Sequence, residues 1–225
     1  MIQTQTGNQK SIMLKRAFII IFLALLIDQI IKIWIKTTMK LDDHQMVLGK
    51  YLQLYFIENN GMAFGMQLGE HWGKIALTVF RMIACGVIFW FLFDLAKKST
   101  DKFKMTVFAL IFAGAVGNTI DCIFYGQLFS ASTFNQVATM FPAEGGYTSL
   151  LKGKVVDMFY CEIFRIHQSQ ASWLPGFLFD RNGEWIFFRP IFNFADACIS
   201  VGVVMLLLWQ KRFFADKKKI KNAFD

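Results

Sequence analysis

The sequence predicts an all-α integral membrane protein, with four transmembrane helices and extended loops gathered on the outer side of the bilayer. Three observations lead there. The 225 residues are 55% hydrophobic and only 18% charged, with a mean hydropathy of +0.42, whereas a soluble domain carries about a quarter charged residues. Four windows, 13–36, 74–96, 103–125 and 191–214, are long and apolar enough for a hydrocarbon core that takes about 20 residues to cross. Finally, lysine and arginine collect at alternate ends of these windows. A formal charge of +8 would otherwise suggest a nucleic-acid partner, but the basic residues flank apolar segments instead of forming an aromatic-interleaved patch, so no nucleic acid is expected.

Taken in order, the first window follows Lys15 and Arg16 like a secretory leader. No small-residue cleavage site follows it, however, and its helical pattern continues through Asp28-Gln-Ile-Ile-Lys32, so it reads as a retained anchor. The loop 37–73 holds an alternating stretch, Tyr51-Leu-Gln-Leu-Tyr-Phe-Ile57, that suits a short strand before a glycine turn. Lys97, Lys98, Lys102 and Lys104 crowd the turn between the second and third windows. The loop 126–190 is long, with aromatic stretches at 173–179 and 185–188 that suit contact with the membrane interface. After the fourth window come Lys211, Arg212, Lys217, Lys218, Lys219 and Lys221. Four spans return both termini to one face. With Lys10, Lys15 and Arg16, all three basic clusters fall there, which makes it the cytoplasmic side. One membrane-embedded domain over residues 1–225 is expected, with both termini cytoplasmic.

Ionisable residues inside spans are costly and therefore mark function. Asp28 and Lys32 stand four residues apart on one face of the first span, a spacing that first suggests an ion pair docking that helix. Asn118 and Asp121 end the third span, and Asn193 and Asp196 begin the fourth. Asp157 lies in an apolar stretch of the second outer loop; Asn59, Asn60 and the turn from Gly61 to Gly65 lie in the first. All map to one leaflet. Arg81, the other charge in a span, could snorkel outward along its helix. A transporter would set polar groups at the midplane between repeated halves, and a scaffold needs no such set of carboxylates. An enzyme acting on a membrane-embedded substrate fits best.

Zinc proteolysis lacks an HExxH pair, and His44, His71 and His167 are scattered through loops. Serine chemistry lacks its nucleophile elbow. Cys85, Cys122, Cys161 and Cys198 have no metal spacing and no neighbouring base, and read as buried free thiols. Carboxylate chemistry remains. Two aspartates sharing a site cannot both ionise readily, so one can polarise a carbonyl while the other activates water. The residues alone leave Asp28, Asp121, Asp157 and Asp196 open for these roles.

Five segments then carry a resemblance. Asp28-Gln-Ile-Ile-Lys32, Asn59-Asn-Gly-Met-Ala-Phe64, Gly114-Ala-Val-Gly-Asn-Thr-Ile-Asp121, Gly153-Lys-Val-Val-Asp157 and Phe192-Asn-Phe-Ala-Asp196 occur in the order found in signal peptidase II, and the chain resembles that family. The resemblance implies an intramembrane aspartyl endopeptidase with Asp157 and Asp196 as its dyad, and a small β-rich cradle and a lid beside the bundle. Asn59, Gly61, Asn118, Asp121, Asn193, Asp28 and Lys32 would support the site. The substrate would be a diacylglyceryl-modified prolipoprotein cut before its lipidated cysteine, in contact with membrane lipid and blocked by globomycin-type inhibitors. No metal or cofactor is expected, and the chain would act as a monomer. A relative that binds precursors without cutting is the alternative, and a proton-linked transporter a more distant one.

Two departures qualify the resemblance. Cys122 stands where the family carries an arginine after the aspartate, which suggests that Arg189 or Arg165 takes that part. The chain is also longer at 127–152 and within 161–189. The first insertion reads as tolerated surface loop, and the second leaves open an enlarged lid.

Overall fold

The computed structural model describes residues 2–60, 72–98 and 101–213. The helices are α1 (Ile2–Thr38), α2 (Trp72–Lys98), α3 (Lys102–Ile120), a single turn α4 (Gly126–Leu128) and α5 (Phe194–Leu208). Three are long and apolar enough to cross a membrane, over Gln9–Thr38, Trp72–Lys98 and Lys102–Leu128, whereas α5 has 15 residues. Only 11% of the apolar window of α2 is buried within the protein; an apolar surface of that extent is stable only against lipid. Ala17, Ala24, Leu92, Met105, Ala109, Ala113 and Cys198 form the interior of the bundle.

Small residues set the helix spacing. A Cβ on Gly114 would lie 2.3 Å from the Ala195 carbonyl oxygen, and one on Gly117 would lie 2.7 Å from Asp28 Oδ2. Glycine at both positions therefore lets α3 touch α5 and α1, the packing device common in membranes. At the far end, Asp101 caps α3 through the Phe103 amide at 2.8 Å and grips Arg212 at 2.8 and 2.9 Å, joining the start of α3 to the end of α5.

A four-stranded antiparallel sheet, in the order β1-β2-β3-β6, covers one end of the bundle. Its strands are β1 (His44–Leu48), β2 (Leu52–Asn59), β3 (Val155–Tyr160) and β6 (Ile191–Phe192). The strand expected over 51–57 is β2, and this sheet corresponds to the cradle the family implies. Leu54, Phe56, Val156 and Met158 pack from the sheet onto Ile35, Met39, Tyr125 and Phe129 in a second core. β4 (Phe164–His167) and β5 (Glu184–Phe187) form a separate hairpin.

The insertion at 127–152 is more than surface loop. Phe129 is fully buried and packs at a tilt against the Tyr125 ring, centroids 4.8 Å apart, while Ser132 and Tyr147 surround Lys36. Lys36 also pairs with Glu58, which Lys154 reaches at 3.1 Å. Burial alone would raise the carboxyl of Glu58, but Lys36, Lys154 and Ser132 hold it below the usual carboxylate range. The insertion thus closes an ionic knot over the end of α1, a role that its loop-like composition concealed.

Candidate active site

Strands β2 and β3, helix α3 and the start of α5 converge where the sheet meets the bundle. β3 carries Asp157, almost wholly buried, and the start of α5 carries Asn193 and Asp196. Asn193 caps α5 in a reciprocal box: its side chain accepts from the Asp196 amide at 2.9 Å, and Asp196 Oδ2 accepts from the Asn193 amide at 3.3 Å. The cap does a second job. Asn193 Nδ2 donates to Asp157 Oδ1 at 2.6 Å and to Asn118 Oδ1 at 3.0 Å. Asn118 Nδ2 in turn donates to Asp196 Oδ1 at 2.7 Å, and Asn59 Nδ2 donates to Asp157 Oδ2 at 3.2 Å. Both aspartates are therefore oriented by side-chain amides, with Asn193 linked to each. Burial, reinforced by the charge of Asp196, pushes the Asp157 carboxyl up to about 7, although Asn59 and Asn193 oppose that rise.

A buried ammonium supports this centre. Lys32 reaches Asp28 Oδ2 at 3.0 Å, Asp121 Oδ2 at 2.8 Å and Asn118 Oδ1 at 2.9 Å. The Asp28–Lys32 pair expected from spacing is present, and it is also part of a larger network. Asp28 Oδ1 accepts from the Ala195 amide at 2.9 Å and so holds the first turn of α5; Asp121 Oδ2 accepts from the Val156 amide at 3.3 Å and so holds β3. Asp121 opens a π turn, Asp121–Tyr125, of the kind that often marks functional positions. Gly153 seats against that turn: its amide donates to Cys122 O at 2.9 Å, and a Cβ there would lie 2.1 Å from Asp121 O. The close approach explains a glycine four residues before Asp157.

Of the residues picked from sequence, Asp157, Asp196, Asn59, Asn118, Asp121, Asn193, Asp28 and Lys32 form one connected network. Gly61 lies outside the described residues. Sequence reasoning missed Gln29, whose Nε2 donates to Asp28 Oδ2 and Asp121 Oδ1, both at 3.1 Å; its place between Asp28 and Lys32 was the available signal. Glu58, a charge beside Asn59 in an apolar strand, was missed for want of knowing its partner Lys36. Arg165 and Arg189, expected to take over from the missing arginine, are held elsewhere. Arg165 pairs with Glu162 at 2.7 Å and Glu184 at 2.8 Å, and Arg189 pairs with Asp180, all around the β4–β5 hairpin.

Residues 20–212 match the family model for signal peptidase II. The chain belongs to the signal peptidase II family. A lipoprotein signal peptidase of Porphyromonas gingivalis is 44% identical over 194 residues, covering 86% of this chain and 81% of that protein. One from Amoebophilus asiaticus is 32% identical, covering 84% and 75%. Among solved structures, a bacterial membrane enzyme determined in meso at 2.3 Å resolution aligns with a TM-score of 0.57 at 24% identity, over 89% of this chain and 90% of that one. Another, at 1.9 Å resolution, gives a TM-score of 0.55 at 25% identity over 86% and 91%. The protein is thus an aspartic-type peptidase of bacterial membranes by family.

Proposed function

We propose that this chain removes the signal peptide from diacylglyceryl-modified prolipoproteins, cutting just before the lipidated cysteine, with Asp157 and Asp196 as the catalytic dyad. One observation carries the assignment of residues: the Asn193 amide is hydrogen-bonded to Asp157 while its backbone and side-chain oxygen cap against Asp196. Burial and the neighbouring charge of Asp196 favour a proton on the buried side of the dyad. Asp157, the more buried member, holds it and donates to the scissile carbonyl; Asp196, half-buried and gripped by Asn118, takes the proton of the attacking water. The tetrahedral intermediate collapses with cleavage of its C–N bond: Asp196 passes the proton taken from water to the leaving amine, and a hydroxyl of the intermediate returns a proton to Asp157. Asp121, tied to Lys32, Gln29 and the Val156 amide, holds β3 in place.

In this reading four helices span the membrane, the fourth being α5 continued by the helical residues 210–213. Lys10, Lys15, Arg16, Lys97, Lys98, Lys102, Lys211 and Arg212 gather at the end away from the sheet, which supports cytoplasmic termini and an active site at the outer leaflet. The chain acts as a monomer. The test is mass spectrometry of a diacylglyceryl-modified prolipoprotein incubated with the purified chain in detergent. The expected products are the free signal peptide and a protein beginning at lipidated cysteine, with formation blocked by globomycin. Binding without either product would show a precursor-binding relative instead.

A further inference from the structure

Glu58 directly precedes Asn59 on β2, and successive side chains of a strand point to opposite faces. Asn59 faces the site, where its Nδ2 reaches Asp157 Oδ2 at 3.2 Å. Glu58 therefore turns the other way, into the ionic knot, with only 3% of its side chain exposed. There Oε1 pairs with Lys36 of α1 and accepts from Ser132 Oγ at 2.9 Å, while Oε2 pairs with Lys154 at 3.1 Å. Lys154 immediately precedes β3, and its backbone amide donates to Tyr147 Oη at 2.7 Å. One carboxylate thus ties β2 to the end of α1, to the start of β3 and to the insertion at 127–152. The strand pairing makes such a tie consequential. β2 and β3 change register between Leu54 and Ile57; beyond that irregularity Ile57, Glu58 and Asn59 lie opposite Asp157, Val156 and Val155. A slip of one residue would turn Asn59 away from Asp157.

We propose that Glu58 is a positioning residue for cleavage: clamped between Lys36 and Lys154, it fixes the β2–β3 register that holds the Asn59 amide against Asp157. This rests on the peptidase reading with Asp157 in the dyad. Stability alone does not account for the charges, since a buried ion pair often contributes no more than apolar side chains of similar volume. What the charges add is direction, and fixing one register among several is the best-attested use of a buried polar group. Apolar side chains at 36 and 58 would pack in either register, whereas a buried carboxylate is satisfied only where its partners reach it. The effect on Asp157 passes through Asn59. Asp196 and Asn193 face Asp157 from the start of α5, Asn59 faces it from β2, and Lys32 acts on it from α1 through its charge. Asp121 meets β3 at the Val156 amide instead. Of these groups only Asn59 shares a strand with Glu58, and its amide favours the ionised carboxyl.

Register and stability can be separated by experiment. The double variant Lys36→Met/Glu58→Leu removes both buried charges without stranding either, so its melting temperature should stay close to that of wild type. Initial rates on a diacylglyceryl-modified prolipoprotein are measured across pH for full-length wild type, this double variant, Lys154→Met, Asn59→Ala and the triple variant that adds Asn59→Ala to the double. Asp157→Asn serves as the dead control. The double variant is expected to lose about 10- to 100-fold in kcat/KM, the scale for a misplaced group at a reacting centre. Its alkaline limb moves upward as far as Asn59→Ala moves it, and the triple variant moves no further. A folded double variant with the wild-type rate and profile overturns the proposal. So does a slower one whose alkaline limb stays in place, since the knot would then serve packing alone, or a triple variant displaced beyond Asn59→Ala. If the double variant does not fold, Lys154→Met, which keeps the Lys36–Glu58 pair, decides by the same two readouts. Wild type that cuts no precursor would overturn the peptidase reading, and Asp157→Asn that still cuts would overturn its dyad, results distinct from these.

Discussion

Replacing Lys32 with methionine is expected to be the most damaging single change in the helix core. The ammonium is fully buried and contacts Asp28, Asp121 and Asn118 at 2.8–3.0 Å. Methionine fills most of the stem but leaves two buried carboxylates facing each other without a cation. Removing one partner of a buried ion pair costs about 3–5 kcal/mol. The two carboxyls can offset part of this by sharing a proton, so the lower end, about 3 kcal/mol or roughly a 100-fold shift in the unfolding equilibrium, is expected. For a chain of this size that corresponds to a melting temperature about 6–12 °C lower. The buried thiols Cys122 and Cys198 allow a thiol-reactive dye to follow unfolding in detergent. The triple variant Lys32→Met, Asp28→Asn, Asp121→Asn removes the uncompensated charge and should regain part of the loss. A Lys32→Met protein melting within about 2 °C of wild type, or a triple variant no better than the single one, would refute this account of the network.

Three further outcomes follow from the same geometry. The carboxyl of Asp157 is raised from its ordinary value to about 7, so the folded site favours its protonated form. The proton is kept below about pH 7 and lost above it, so kcat/KM should fall as pH rises through that value; the contribution of Asp157 to stability should decline from about pH 4 to 7. Asn59→Ala removes a donor that favours the ionised form, and should move the alkaline limb of the pH–rate profile upward. Gly114→Ala would drive a methyl against the Ala195 carbonyl at 2.3 Å, costing about 1–3 kcal/mol as α5 shifts and carries Asp196 with it; Gly86→Ala, which meets open space, should be neutral in both melting temperature and cleavage.

The helices were legible because lipid imposes a simple rule: long apolar runs must cross, and buried charges must have partners. Asp28, Lys32, Asn118, Asp121, Asn193 and Asp196 all announced themselves as polar residues in apolar surroundings. Asp157 was harder, since a carboxylate in a loop is ordinary until β3 is known to run against α5. The shortness of α5 was hidden because the apolar run at 191–214 does not show that Ile191 and Phe192 pair with β3 and that Asn193 is a cap. The ionic knot of Lys36, Glu58 and Lys154 was also hidden, since its members lie far apart in sequence and only the folded insertion at 127–152 encloses them. Arg81 was visible as a charge in a span, but its direction toward Cys122 depends on how α2 is turned against α3, which no spacing reveals.

The central claim is tested most directly by gel-shift cleavage of a diacylglyceryl-modified prolipoprotein. Wild type is compared with Asp157→Asn, Asp196→Asn and Asp121→Asn, each shown to be folded by its melting curve. The dyad predicts complete loss of cleavage in the first two and partial activity in the third, with wild-type cleavage abolished by globomycin. Cleavage that survives in folded Asp157→Asn or Asp196→Asn would contradict it.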